Sequence, residues 1–302
     1  MSPVARTTAA IVVVYRLDAD PDTLIEQLRT TVLHTIVVDN APEGHPALAN
    51  LRPLSDVTVL SNRNHGGLAG AYNRACGHLL LTHASIRQIV LLDEDSDASA
   101  LRELLADPAV QALLHSDTTA AVAPAYRDRA TGLRGKHIQL QRWQLHYLPR
   151  QFDAIEPVSF VINSMSVWRV AALRTIGLFN EGLRIDHVDT EYCLRARGAG
   201  LNVYVAGAHE FAHSIGERKR FTLFGREMQA GGHAPQRRYL IGRNTAWLAR
   251  RYLWREPAFA FLCLTRLAYE VVGITLAETH RPAKLAALLR GAVAGLFTRH
   301  LE

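Results

Sequence analysis

Short apolar runs alternate with stretches of helical period through the first half of the chain. Ile11 to Tyr15 reads as a strand. Pro21 to Leu33 reads as a helix, with Asp20 as its cap and Pro21 in the first turn. Thr35 to Val38 and Val57 to Leu60 are the next strands, and Gly67 to Thr82 looks helical. Ile89 to Leu92 is a fourth strand, Ser99 to Leu114 a further helix, and Ala120 to Ala123 another short strand. Apolar strands separated by helices predict a mainly parallel sheet with both faces covered, an α/β class.

From Pro124 to Gln151 the pattern weakens into an excursion rich in Arg, Gln and His. Val158 to Val167 alternates loosely and is expected to be a strand. Val170 to Ile176 is a short helix before the turn Gly177 to Gly182. Asp189 to Ala199 reads as a helix closed by Gly198 and Gly200, with Asn202 to Ala206 as the strand that follows. After Glu217 the chain reads as helical up to His300, with arginines interleaved among apolar residues. Two parts are therefore expected: an α/β domain over residues 1–220 and a helical region over 221–302.

Composition narrows the class without naming a function. The 302 residues suffice for one large or two ordinary domains, and 48% hydrophobic with 21% charged is ordinary for a globular protein. The net charge of +6 is compatible with an anionic substrate, an anionic membrane surface or nucleic acid. No nucleic-acid recognition motif accompanies it, so no nucleic-acid partner is expected. Cys76, Cys193 and Cys263 are far apart and form no CxxC, which disfavours a disulfide framework or a zinc site and fits a reducing cytoplasm. The N-terminus carries no secretion signal. The nearest approach to a membrane span, Ala258 to Ala277, contains Arg266 and Glu270.

The chemistry clusters where strands end. Asp93-Glu94-Asp95 follows the run Ile89 to Leu92, and in an open α/β sheet ligands bind at the carboxyl ends of strands. Hard oxygen ligands there suit Mg²⁺ or Mn²⁺ with a diphosphate on its other side, although acidic loops are also common on plain surfaces. Asp39, ending Val38-Asp39-Asn40, is placed either to accept from a nucleotide base or ribose, or to close an Asx turn. The stretch Asn64 to Asn73 is glycine-rich and leads into a helix. Gly66 and Gly67 would let a phosphate approach the helix N-terminus, or they mark an ordinary helix start. The first strand-to-helix connection, Arg16 to Asp20, holds no glycine, which counts against a nicotinamide-dependent dehydrogenase. Asp186, Asp189 and Glu191 form a second acidic cluster. Asp189 or Glu191 could serve as a general base, or they are helix-start carboxylates that complement the dipole. His213 could complete a metal site with Asp95. Arg237, Arg238 and Arg243-Asn244, at helical spacing, could hold a phosphate or form a solvated basic face.

In this order the motifs resemble the inverting family 2 of nucleotide-sugar glycosyltransferases, which have the GT-A fold, and within it the bacterial rhamnosyltransferases that use dTDP-L-rhamnose. The resemblance runs from about Ala9 to Asn244. It rests on Val38-Asp39-Asn40, on Asn64 to Asn73, on Leu92 to Ser96, on Gly177 to Glu181, and on Ile185 to Arg197. It implies that Asp39 recognises the base and that Asn64, Gly66, Gly67 and Asn73 belong to the donor site. Asp93 is implied near the ribose and metal, Asp95 as a metal ligand, Asp189 as the catalytic base, and His213 as helping to hold metal and diphosphate. Arg243 and Asn244 are implied to close over the donor. Glu94 stands where these enzymes often have Gln, and Met165 where they often have Gly.

The resemblance also implies a nucleotide-diphosphate-sugar donor and a glycan or lipid-linked acceptor of a surface polysaccharide or lipopolysaccharide. The location implied is cytoplasmic. The arginine-rich C-terminal helices are expected to touch a membrane peripherally or to pack on the core or a second copy. A different donor such as UDP-galactofuranose, a sugar nucleotidyltransferase, and a non-catalytic nucleotide- or glycan-binding scaffold stand as alternatives. Within the acidic triplet, Asp93 and Asp95 are expected to carry function and Glu94 to be tolerant of change.

Overall fold

A computed structural model describes residues 2–16, 21–51, 53–214, 219–223 and 225–301. The chain divides into two compact units, residues 1–139, 147–184 and 188–214 in the first and residues 140–146, 185–187 and 215–302 in the second. The second unit is thus assembled from three pieces of chain, not from the C-terminal region alone.

The first unit is built on one eight-stranded sheet. Its strands are β1 (Thr8–Val14), β2 (His34–Asp39), β3 (Val57–Ser61), β4 (Gln88–Asp93), β5 (Thr119–Asp128), β8 (Ile155–Val158), β9 (Ser166–Arg169) and β10 (Asn202–His213). Their order is β3-β2-β1-β4-β9-β5-β10-β8. Strands β1 to β4 pair in parallel, β10 pairs in parallel with β5, and β9 and β8 enter antiparallel. Every residue of β1 is buried, as expected for a strand covered on both faces. The helices are α1 (Asp22–Arg29), α2 (Gly67–Thr82), α3 (Leu101–Ala106), α4 (Pro108–His115), α5 (Val170–Ile176) and α6 (Val188–Gly198). Leu24, Leu28, Leu101 and Leu104 join β1 in a single apolar core.

Several expected elements change. The helix expected over 99–114 breaks at Asp107-Pro108. Pro108 has no N–H with which to continue α3, and Asp107 caps α4 by accepting from the N–H groups of Ala109 and Val110. The expected strand over 158–167 is replaced by β8 and β9, with a turn between them. The Asp20 cap lies outside the described residues. The excursion after Pro124 contains the end of β5 and a ribbon of β6 (Ile138–Gln141) and β7 (Gln144–Tyr147).

In the second unit, β11 (Lys219–Leu223) and β12 (Arg226–Ala230) form an antiparallel hairpin where helix was expected. Three helices follow, α7 (Pro235–Tyr252), α8 (Pro257–Ala277) and α9 (Arg281–Phe297). Helices α7 and α9 cross so closely that a Cβ at Gly291 would strike the Tyr239 carbonyl, and one at Gly295 the Arg243 carbonyl. The unit is clamped by ions. Arg238, fully buried, pairs with Glu270 and Glu278, and Lys284 adds a 2.7 Å bond to Glu278. Helix α8 is long and apolar enough to cross a membrane. Its Arg266 and Glu270, however, face Asp186 and Arg238 inside this unit.

Candidate active site

The register of the sheet brings two of the expected carboxylates to one edge. Val14 of β1 stands opposite Asp39 of β2, and Val13 opposite Asp93 of β4. Two acidic strand ends therefore flank the end of β1. His213 ends β10, which runs the same way as β4.

Asp39, 8% exposed, accepts from the N–H of Ala41 at 3.2 Å and of His45 at 2.9 Å. It therefore closes the turn after β2. Each carboxylate oxygen has a second lone pair, so turn closure and base recognition are compatible. Asp93 is held from two sides: its N–H donates to Ser96 Oγ at 2.9 Å, and the Ser164 hydroxyl donates to its Oδ2. Burial pushes the Asp93 carboxyl up, and Asp95 and Glu94 push the same way against Ser164 and His213. Burial holds the His213 imidazole down, toward its neutral form, against the pull of Asp93 and Asp95. Asp95 is half-buried and has no side-chain hydrogen bond or ion pair among the described residues.

Ser164 owes its position to a strained turn. Met165, fully buried in the core, takes φ +65° in the left-handed region that favours glycine, and its N–H donates to the Leu91 carbonyl. The resembling enzymes often have Gly at this position. The glycine-like backbone is kept here, and the Met side chain fills the core.

Glu94 is not a passive spacer. Its Oε2 accepts from the N–H groups of Tyr15 and Arg16 at 2.7 and 3.0 Å, and its Oε1 from Arg16 Nε at 2.5 Å. It latches the end of β1 to the end of β4, a structural role beside the expected tolerance of activity to change there. Glu94→Gln keeps one acceptor oxygen but loses the charge-assisted pair. It is expected to cost about 1–3 kcal/mol in urea unfolding, and an unchanged midpoint would refute the latch.

The glycine-rich turn is also corrected. Gly66 and Gly67 take φ +63° and +64°, and what approaches them is the chain itself. A Cβ on Gly67 would strike the Arg184 carbonyl, and one on Gly66 the Glu181 carboxylate. The Arg184 carbonyl accepts from the N–H of Leu68 at 2.6 Å, at the start of α2. The amide expected to face a phosphate is thus already used. Asn73 is a staple: its amide donates to the Phe179 carbonyl and to Glu181, and its oxygen accepts from the Phe179 N–H. Asn64, at φ +57°, is half-buried, and its carbonyl accepts from Gly67.

The second acidic cluster separates by partner. Glu191, 2% exposed, is paired with Arg195 at 2.9 Å one turn away. Asp186 belongs to the second unit, where Arg237 donates to both of its oxygens at 3.0 and 3.2 Å. Burial would raise the Asp186 carboxyl, but Arg237 and Arg266 hold it below the usual range. Asp189, half-buried at the start of α6, receives on Oδ1 the N–H and hydroxyl of Thr190. Asn244 does not face a ligand: it is fully buried, its amide donates to the Ile185 and Asp186 carbonyls, and its oxygen accepts from Arg243.

Tyr72 of α2 adds a buried polar group to this region. Its phenol is fully buried beside Asp93, with no partner closing a hydrogen bond among the described residues. Burial raises its pKa well above the ordinary value, and the charges of both Asp93 and Asp189 raise it further. Sequence reasoning missed Tyr72, Ser164 and Glu181. Tyr72 lies inside the Asn64 to Asn73 motif, so its position was visible but its neighbours were not.

No family model matches the chain. The dTDP-rhamnosyl transferase RfbF of Shigella flexneri is 24% identical over 245 residues, covering 80% of this chain and 79% of that protein. The crystal structure of GalNAc-T7 with UDP, GalNAc and Mn²⁺ superposes with a TM-score of 0.51 at 13% identity over 83% of this chain. The chain spans about half of that protein, 51%. Residues 1–349 of S. aureus TarS align over 97% of this chain and 73% of that one, with a TM-score of 0.48 and 16% identity. The chain has the GT-A fold of glycosyltransferases. Within that class its sequence is similar to a rhamnosyl transferase.

Proposed function

We propose that the protein transfers L-rhamnose from dTDP-L-rhamnose to a glycan hydroxyl with inversion, on a surface-polysaccharide, lipopolysaccharide or lipid-linked acceptor in the cytoplasm. The donor reading is supported by the similarity to RfbF. The observation that carries the site is the register that sets Asp39 and Asp93 at the two strand ends flanking β1.

The acceptor hydroxyl attacks the anomeric carbon from the face opposite the nucleotide. The new C–O bond forms as the bond to the diphosphate breaks, and dTDP leaves with that electron pair. Asp189 takes the hydroxyl proton, with its carboxylate oriented by Thr190. Glu191 and Asp186 are bound to arginine, and Asp189 is the residue that the resemblance assigns as the base. Asp39 accepts from the base, and Asp93, fixed by Ser164, faces the ribose. Asn64 borders the donor, while Gly66, Gly67 and Asn73 support the site from behind.

Among the described residues no three His, Cys, Asp or Glu side chains gather as a complete metal cage. The donor set nonetheless fits Mg²⁺ or Mn²⁺. Among the described residues Asp95 is a carboxylate with no side-chain hydrogen bond or ion pair, His213 is held toward the neutral imidazole, and such ions fill their remaining positions with phosphate oxygen and water. The ion, when bound, neutralises charge on the departing diphosphate. The test is binding of a nucleotide-sugar panel with and without EDTA. Metal-dependent preference for dTDP-rhamnose over UDP-sugars is expected. Indifference to all donors would refute the assignment, and undiminished binding in EDTA would remove the ion from the site.

A further inference from the structure

Within the second unit, we infer that one end of the helical bundle is an interfacial surface for an anionic lipid bilayer. The sequence points only to Arg237 to Arg255 and the apolar run after them. The unit removes half of those arginines: Arg237 pairs with Asp186, Arg238 is buried with Glu270 and Glu278, and Arg243 is turned onto Asn244. In their place it gathers distant residues. The Ala258 N–H at the start of α8 donates to the Arg142 carbonyl at 3.2 Å, which brings the tip of the β6–β7 ribbon to this end. Trp247 Nε1 and Arg250 donate to the carbonyls of Arg299 and Thr298, which bring the end of α9 there as well.

Three large aromatics therefore stand exposed at one end of the unit: Trp143 at 71%, Trp254 at 83% and Phe297 at 80%. Phe261 and Leu264, one turn apart on α8, and Leu289, Val293 and Leu296 on α9 are also exposed. The charges beside them have one sign. Arg142, Arg251, Arg255 and Arg299 are exposed. Neither 140–146 nor 281–301 contains an Asp or Glu, and between 250 and 269 there is one, Glu256, which is not exposed. Tryptophan at the boundary, an apolar helical stripe and arginines without acidic neighbours are the chemistry of a surface that lies in the headgroup layer. A second copy of the chain would set these arginines against their own kind.

The test uses the full chain and flotation with two kinds of vesicle, phosphatidylcholine alone and phosphatidylcholine with one third phosphatidylglycerol, in the absence of any donor. Binding is expected to the second kind, with release in high salt, since each arginine near an anionic surface contributes about fivefold. Trp143→Ser with Trp254→Ser, both exposed and outside the catalytic machinery, is expected to weaken binding at least about tenfold. Arg251→Glu with Arg255→Glu is expected to do the same while leaving thermal unfolding unchanged. Absent binding, equal binding to both vesicles, or binding unmoved by either pair of substitutions would overturn the inference. So would self-association lost in Trp254→Ser, which would assign the surface to a second copy. None of these outcomes depends on which sugar is transferred.

Discussion

Asp189→Asn is expected to lower turnover by about 10²- to 10⁴-fold, the range for loss of a general base, while the affinity for the donor stays near wild type. The substitution keeps the shape of the side chain and its acceptance from Thr190, so unfolding should move little. The control is Glu191→Gln. Glu191 is buried against Arg195, and Arg195 in turn donates to the Ile176 and Leu178 carbonyls. That change should lower stability by about 1–3 kcal/mol and affect turnover only through folding. Single-turnover kinetics beside thermal melts separate the two. Near-normal transfer by folded Asp189→Asn would remove it as the base, and a large loss of chemistry in folded Glu191→Gln would move the role there.

Arg238→Ala is expected to be the most damaging change to the second unit, about 3–5 kcal/mol, because it strands buried carboxylates without their cation. Glu278 has no exposed side-chain surface and depends on Arg238, Lys284 and the Gly232 N–H. Burial alone would raise its carboxyl, but these partners hold it below the ordinary value. A depressed carboxylate contributes stability that is full above its unfolded pKa, about 4.3, and is lost as pH falls through the folded value. Wild-type protein should therefore weaken on acidification below about pH 4, and Arg238→Ala should show a shallower loss from a lower starting point. Urea unfolding at neutral and acid pH measures both, and a variant as stable as wild type at neutral pH would show the cluster to be dispensable.

The parallel core was legible because buried strands leave unbroken apolar runs, as in Ile11 to Val14 and Ile89 to Leu92, and the acidic residues that end them could be read directly. The breaks came where a local signal competed with the period. Asp107-Pro108 stops a helix whose apolar spacing continues through it, and the loose alternation of 158–167 hid a turn held at Met165. The hairpin after residue 218 was missed because its arginines match the helical spacing around them.

By itself the sequence determined the α/β class, the carboxylates Asp39, Asp93 and Asp95 at strand ends, and the acidic start of α6. These depend on residues near in sequence, where periodicity and strand ends leave a mark. Only the tertiary structure decided what those groups are bound to. Glu94 is spent on β1, Glu191 on Arg195, Asp186 on Arg237, and the amide before α2 on the Arg184 carbonyl, while Ser164 holds Asp93. Hydrogen bonds and ion pairs between residues as far apart as Ser164 and Asp93 leave no spacing in the chain, because a partner is chosen by position in space and not by distance along the sequence.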